Sequence, residues 1–135
     1  LGISQLSKLN KFFKKRKYVK KFYDYHLKKF PLILPHFDKN KTSSLHLYIV
    51  RLKNKFSKVS RDKIIEKLRN KGIGVNIHYI PIHYQPYFKK MGFKKGMFPI
   101  SEKYFESAIS LPIHQSITKN NLLKIVKTLK SLLIK

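Results

Sequence analysis

Between Ile3 and Phe30 the apolar residues Leu6, Leu9, Phe13, Val19, Tyr23, Leu27 and Phe30 recur at steps of three and four, apart from a break at Arg16. That spacing puts them on one face of a helix and no proline interrupts it, so a single long amphipathic helix is predicted over 1–30. Pro31 and Pro35 end it, and the polar stretch from His36 to Ser43 reads as a turn. Ser44 to Leu52 is rich in Leu, Tyr, Ile and Val on both parities, the pattern of a strand covered on two sides. Ser60 stands at an N-cap position, Asp62 falls in the first turn, and Ile64, Ile65 and Leu68 form a stripe that Gly72 stops, which predicts a short second helix. Val75, Ile77 and Tyr79 then alternate with Asn76 and His78, predicting a second strand with polar residues at its end. Pro81, Pro86 and Gly92 break the chain into an aromatic loop, followed by a short helix from Pro99 to Ala108 and a brief strand at Ile109 to Leu111. Thr118 caps a last helix whose Leu122, Ile125, Val126, Leu129, Leu132 and Leu133 make an apolar stripe.

The resulting order of helix, strand, helix, strand, helix, strand, helix predicts a small layered α/β unit with a sheet of about three strands, their direction unread. One domain over 1–135 accommodates it, with the helix of 1–30 leading into an α/β body over 44–135. The start Leu1-Gly2-Ile3-Ser4 is neither an initiator methionine nor a signal peptide, so a cut end is expected there. No apolar run approaches the roughly 20 residues that cross a bilayer, so no membrane partner is expected. The absence of cysteine excludes a thiol nucleophile, a disulfide framework and a cysteine zinc site, and leans toward the cytoplasm.

Charge changes the picture less than its size suggests. A formal net charge of +25 first points to a nucleic acid or an anionic surface. Yet Arg16, Arg51, Arg61 and Arg69 are the only arginines, and readers of phosphate and bases favour the bidentate guanidinium over lysine. The excess is lysine, spread along the chain as a solvated surface, and its field favours any anionic ligand, including a diphosphate.

With six acidic residues, no cysteine and no glycine-rich phosphate loop, a complete catalytic set is missing. Gly72-Ile73-Gly74 lacks the third glycine and the helix that such a loop needs. The densest chemistry lies in His78 to Phe88, HYIPIHYQPYF. His78 and His83 fit no common zinc spacing, and the nearest carboxylates in sequence are Glu66 and Glu102, so no metal site is expected. Tyr79, Tyr84, Tyr87 and Phe88 beside Lys89 and Lys90 suggest stacking faces, although the flanking order matches neither an RRM nor an OB signature. A stand-alone basic nucleic-acid-binding module is therefore the competing reading. For most of these rings plain packing against the body is as good a reading as any functional role, and His78 and Tyr79, at a strand end, are the preferred site candidates. His26, His36, His46 and His114 have no nearby carboxylate in sequence and read as structural or solvated.

Taken in order, LGISQLSKLNKF, LHLYIVRL, RDKIIEKLRNKGIGVNIHYIPIHYQPYF and FPISEKYFESAISLPIHQSIT resemble the last third of the DegT-type pyridoxal-phosphate-dependent nucleotide-sugar aminotransferases, over essentially the whole chain. The variety is similar to UDP-4-amino-4,6-dideoxy-N-acetylhexosamine transaminases, which serve surface-polysaccharide and glycan synthesis. The resemblance implies the small C-terminal domain of a fold-type-I enzyme. It would pack on an N-terminal large domain that carries the Schiff-base lysine, the acidic partner of the pyridinium nitrogen and the phosphate cup. It also implies a cytoplasmic homodimer that passes an amino group, usually from glutamate, to a UDP-linked 4-keto-6-deoxy sugar. No catalytic or cofactor-binding residue is carried over, so the chain alone is expected to bind no pyridoxal phosphate and to be inactive. The implied substrate contacts are Ile77, His78, Tyr79 and Ile80, with His83 and Gln85 following in the same loop.

Overall fold

Side chains alternate along the strand Tyr48–Leu52 between a buried and a partly accessible face, while the strand Ala108–Leu111 is buried on both. The computed structural model describes residues 2–38, 40–53 and 60–134; Leu1 and Lys135, the ends of the expected domain, lie outside them. Strands β1 (Leu32–Ile33), β2 (Tyr48–Leu52) and β3 (Ala108–Leu111) lie in that order, each pair antiparallel. Leu32 faces Leu52, Val50 faces Ile109 and Tyr48 faces Leu111, so all six share one side and are buried there. Ile33, Ile49 and Arg51 share the other side and remain partly accessible.

Helices cover the buried side. A short α1 (Gly2–Leu6) buries nothing, and α2 (Leu9–Leu27) presents Val19, Tyr23 and Leu27 to the core. The single helix expected over 1–30 is thus two, ending before Phe30. Ser7 Oγ bonds the Ser4 carbonyl at 3.0 Å, offering the chain a local alternative to the helical ladder where the two meet. Helix α3 (Arg61–Asn70) starts at Ser60, whose side chain accepts from the Lys63 amide. It ends in a Schellman turn: Ile73 N bonds Leu68 O at 3.0 Å and Gly72 N bonds Arg69 O at 2.8 Å, with Gly72 at φ +70°. The aromatic segment contains a 3-10 turn at Ile82–Tyr84 and α4 (Pro86–Lys90). Next come α5 (Pro99–Ser107) and α6 (Lys119–Leu133), the latter opened by a capping box between Thr118 and Asn121.

Helices α2, α3 and α6 close over Tyr48, Val50, Ile109 and Leu111 to form one core, in which Tyr23, Leu27, Ile64, Leu68, Leu122 and Leu129 are sealed. Each such aliphatic side chain contributes about 1.5–3 kcal/mol through burial. Helix α5 packs instead beside β2, with Tyr104 under the Arg51 guanidinium, 5.6 Å from its ring centre.

Two strand expectations are corrected. Val75–Tyr79 is not a strand: it makes one bridge, Asn76 with Ser110, and then leaves the sheet. The third strand is Leu32–Ile33, between the two prolines. Lys53 N reaches back to Pro31 O at 3.1 Å, and an edge position leaves proline's missing N–H without cost. The strand expected at Ser44 to Leu52 is regular over Tyr48–Leu52.

Candidate functional site

Residues 77–85 are held at their base and free at their crest. Arg69, at the end of α3, donates to the Val75 carbonyl from Nε at 3.3 Å and from Nη2 at 3.0 Å. Asn76 N bonds Ser110 O at 3.3 Å and Ser110 N bonds Asn76 O at 2.8 Å. Beyond this point the backbone turns outward. Ile77 is half-buried against the core, while Tyr79 is 76% exposed and Ile80 53% exposed. His78 lies between, its ring edge-on to Tyr79 with centres 4.6 Å apart. Its Nδ1 is buried and has no hydrogen-bond partner, an unusual state for an inward polar atom.

His83 and Gln85 part company. Gln85 is exposed at the start of α4, whereas His83 turns inward and is only 6% exposed. Its Nε2 lies 2.9 Å from Oε1 of Glu102, which is equally buried on the first turn of α5. Gly96 N donates to both oxygens of that carboxylate, at 2.8 and 3.0 Å, and Phe98 N approaches Oε1 at 3.4 Å. Burial alone would raise the Glu102 pKa, but the bonds from His83 and the two amides outweigh it and hold the carboxyl below its ordinary value. Tyr84 stands against the same group, its buried hydroxyl outside good hydrogen-bond geometry. Desolvation and then the Glu102 charge raise the Tyr84 pKa. Sequence reading weighed His83 as a follow-on substrate contact and, with Glu102, as a metal ligand, whereas the His83 ring is turned inward. They form a pair instead, and among the described residues no group of three or more metal-ligating side chains comes together.

Around this pair runs an uncovered apolar surface. Ile82, His83, Phe88, Phe93 and Phe98 line a hollow of about 330 Å³, and Phe98 and Ser101 continue it into a wider groove of about 570 Å³ walled by Met97, Ile100 and Tyr104. Ile82 and Ile100 are among the most exposed large apolar side chains of the described residues. These residues can present a ligand with apolar ring faces and the Tyr104 phenol.

Neither the hollow nor the groove is lined by a lysine. A pyridine aldehyde needs a lysine, a carboxylate facing its ring nitrogen and phosphate donors in one cavity. Lys124 lines a hollow with Gly72, His114 and Asn121, and Lys11, Lys14 and Lys15 line another with Tyr18 and Gln115, and neither wall includes a carboxylate. Among the described residues no helix is long and apolar enough to cross a membrane.

The sequence profile of the DegT/DnrJ/EryC1/StrS aminotransferase family matches residues 1–130. The chain is 34% identical, over 98% of its length, to the uncharacterized protein MJ1066 of Methanocaldococcus jannaschii, and covers 35% of it. It is 32% identical over its whole length to the UDP-4-amino-4,6-dideoxy-N-acetyl-beta-L-altrosamine transaminase of Campylobacter jejuni, covering 36% of that protein. Spr1654 of Streptococcus pneumoniae, a sugar-aminotransferase homologue solved in a PLP-form, superposes with a TM-score of 0.88 at 28% identity, over 97% of this chain and 33% of its own. The chain thus spans about a third of the length of the proteins it matches.

Proposed function

Because the chain belongs to the DegT/DnrJ/EryC1/StrS aminotransferase family, we propose that it is the C-terminal small domain of an enzyme that moves an amino group, usually from glutamate, onto a UDP-linked 4-keto-6-deoxy sugar for surface-polysaccharide or glycan synthesis. The parent is a cytoplasmic homodimer, and its large domain, outside these 135 residues, holds pyridoxal phosphate and the lysine that binds it. That cofactor supplies the electron sink through which an amino group passes between two carbonyl compounds. The part assigned to this chain is to bind and orient the acceptor.

Residues 77–80 form the acceptor wall. The unpartnered Nδ1 of His78 is the group assigned to hydrogen-bond a sugar hydroxyl or a phosphate oxygen. Tyr79 and Ile80 offer exposed faces that exclude water from one side of the sugar. Gln85 stands exposed further along, and the lysine-rich surface draws the diphosphate toward the cleft. The apolar strip of Ile82, Met97, Phe98 and Ile100 packs on the large domain. What supports this reading most directly is the exposure of Tyr79 and Ile80 in a chain that spans about a third of its relatives.

The test uses the full-length parent. His78→Ala is expected to slow amination of the keto sugar nucleotide about tenfold while the glutamate half-reaction stays within about twofold. Equal loss in both halves would remove His78 from the acceptor wall. The 135-residue polypeptide alone, mixed with pyridoxal phosphate, is expected to show neither the visible absorbance of bound cofactor nor turnover.

A further inference from the structure

We propose that Glu102 is a positioning residue for the acceptor wall: its buried carboxylate, acting through His83, fixes the course of residues 77–85 and so the placement of His78 and Tyr79. The proposal rests on the reading that this loop faces the sugar nucleotide, and adds the group that holds it.

After the Asn76–Ser110 bridge the backbone bonds of the segment are local. Tyr84 N bonds Pro81 O at 2.9 Å and Gln85 N bonds Ile82 O at 2.9 Å, which shapes the 3-10 turn but ties it to nothing else. Among the described residues, the polar tie to the body with good hydrogen-bond geometry is the 2.9 Å contact between His83 and Glu102, and the Tyr84 hydroxyl stands against the same carboxylate. The ring of His83 is wedged between Tyr84 and Phe98, at centre distances of 4.5 and 4.8 Å, so the bond fixes a ring that cannot swing aside. Glu102 is itself held by the Gly96 and Phe98 amides, and its own amide bonds Phe98 O at 3.0 Å. One carboxylate thereby joins the turn at Gly96, the start of α5 and the acceptor loop. Both side chains are too deeply buried to touch a ligand, so the role is exerted through the loop.

The chemistry requires an anion with two accepting oxygens. Gly96 N contacts both oxygens and His83 shares Oε1. An amide of the same shape could keep its oxygen for His83 but would turn its NH2 toward the Gly96 N–H, setting two buried donors face to face. Gln at position 83, by contrast, can place a donor near the site of the imidazole Nε2.

In the full-length parent, Glu102→Gln and His83→Phe are each expected to raise the KM for the keto sugar nucleotide about tenfold, with the glutamate half-reaction within about twofold. The double variant should be no worse than either single one, and His83→Gln should recover most of the loss. Amide hydrogen exchange in residues 77–85 should quicken about tenfold in Glu102→Gln while α6 is unchanged. That second reading does not depend on the substrate, so it tests the tie even if the parent proves to use another acceptor. Unchanged exchange in 77–85 would overturn the proposal, as would equal losses in both half-reactions or additive losses in the double variant. If Glu102→Gln does not fold, the comparison of His83→Phe with His83→Gln decides: equal values for the two overturn it.

Discussion

Tyr48 on β2 donates its phenol hydrogen to Oδ1 of Asp24 on α2 at 2.7 Å, while Lys20 Nζ holds Oδ2 at 2.5 Å. Desolvation first, then the Asp24 bond and charge, push the Tyr48 pKa far above its ordinary value, so the hydroxyl stays a donor at any physiological pH. Tyr48→Phe keeps the ring, which lies 4.9 Å from that of Tyr23, and deletes only the bond. The loss should be about 1–2 kcal/mol, moderated because water still reaches Asp24. The midpoint of urea unfolding measures it, and an unchanged midpoint would mean that the helix docks without this bond.

Gly72 has the positive φ that closes α3, and a Cβ there would meet only Lys124 Nζ, at 4.0 Å. Space is therefore available and backbone strain decides. Gly72→Ala should destabilise by about 1 kcal/mol. Thermal unfolding checks this, and a rise in Tm would show that the turn relaxes out of the left-handed region.

The lowered pKa of Glu102 predicts an acid-sensitive joint. A carboxyl held below its unfolded value binds fewer protons in the native state, so its contribution is complete above the ordinary value of 4.5 and fades as pH falls through the lower folded value. Between those limits, stability of the wild type should drop more steeply with falling pH than that of Glu102→Gln. Urea midpoints across the acid range supply the two slopes, and parallel slopes would place the titration elsewhere.

Tyr79 separates fold from function. Being 76% exposed, its replacement by Ser should leave stability within about 0.5 kcal/mol. The KM for the acceptor in the full-length parent should nevertheless rise about tenfold. Calorimetry and separate half-reaction kinetics give the two numbers, and a loss of Tm equal to that of a core variant would assign the ring to packing.

Elements with both a start signal and a stop signal were legible. Ser60 with Gly72 marks α3, and Thr118 with its apolar stripe marks α6, because caps and periodicity are local facts about the chain. The alternation at Val75–Tyr79 misled for a physical reason: Val75 is buried and Ile77 half-buried, as a strand would have them, but hydrogen bonding to β3 stops at Asn76. Periodicity reports which way side chains face and says nothing about a partner ladder. Leu32–Ile33 escaped notice because two residues between prolines carry no period at all. The segment proposed as a substrate wall drew notice as a dense polar and aromatic run, within which Tyr79 and Ile80 stand exposed. The His83–Glu102 pair was not, since 19 residues separate its members and only the chain's return through α5 brings them together.

The single Asn76–Ser110 bridge also divides the molecule by how much each part tolerates change. In the sheet and the helices that cover it, a new side chain must fit a crowded interior and respect the pairing of three strands. In the stretch that leaves the sheet, Tyr79 and Ile80 stand exposed, so this crest can change shape and polarity without the core first being restabilised.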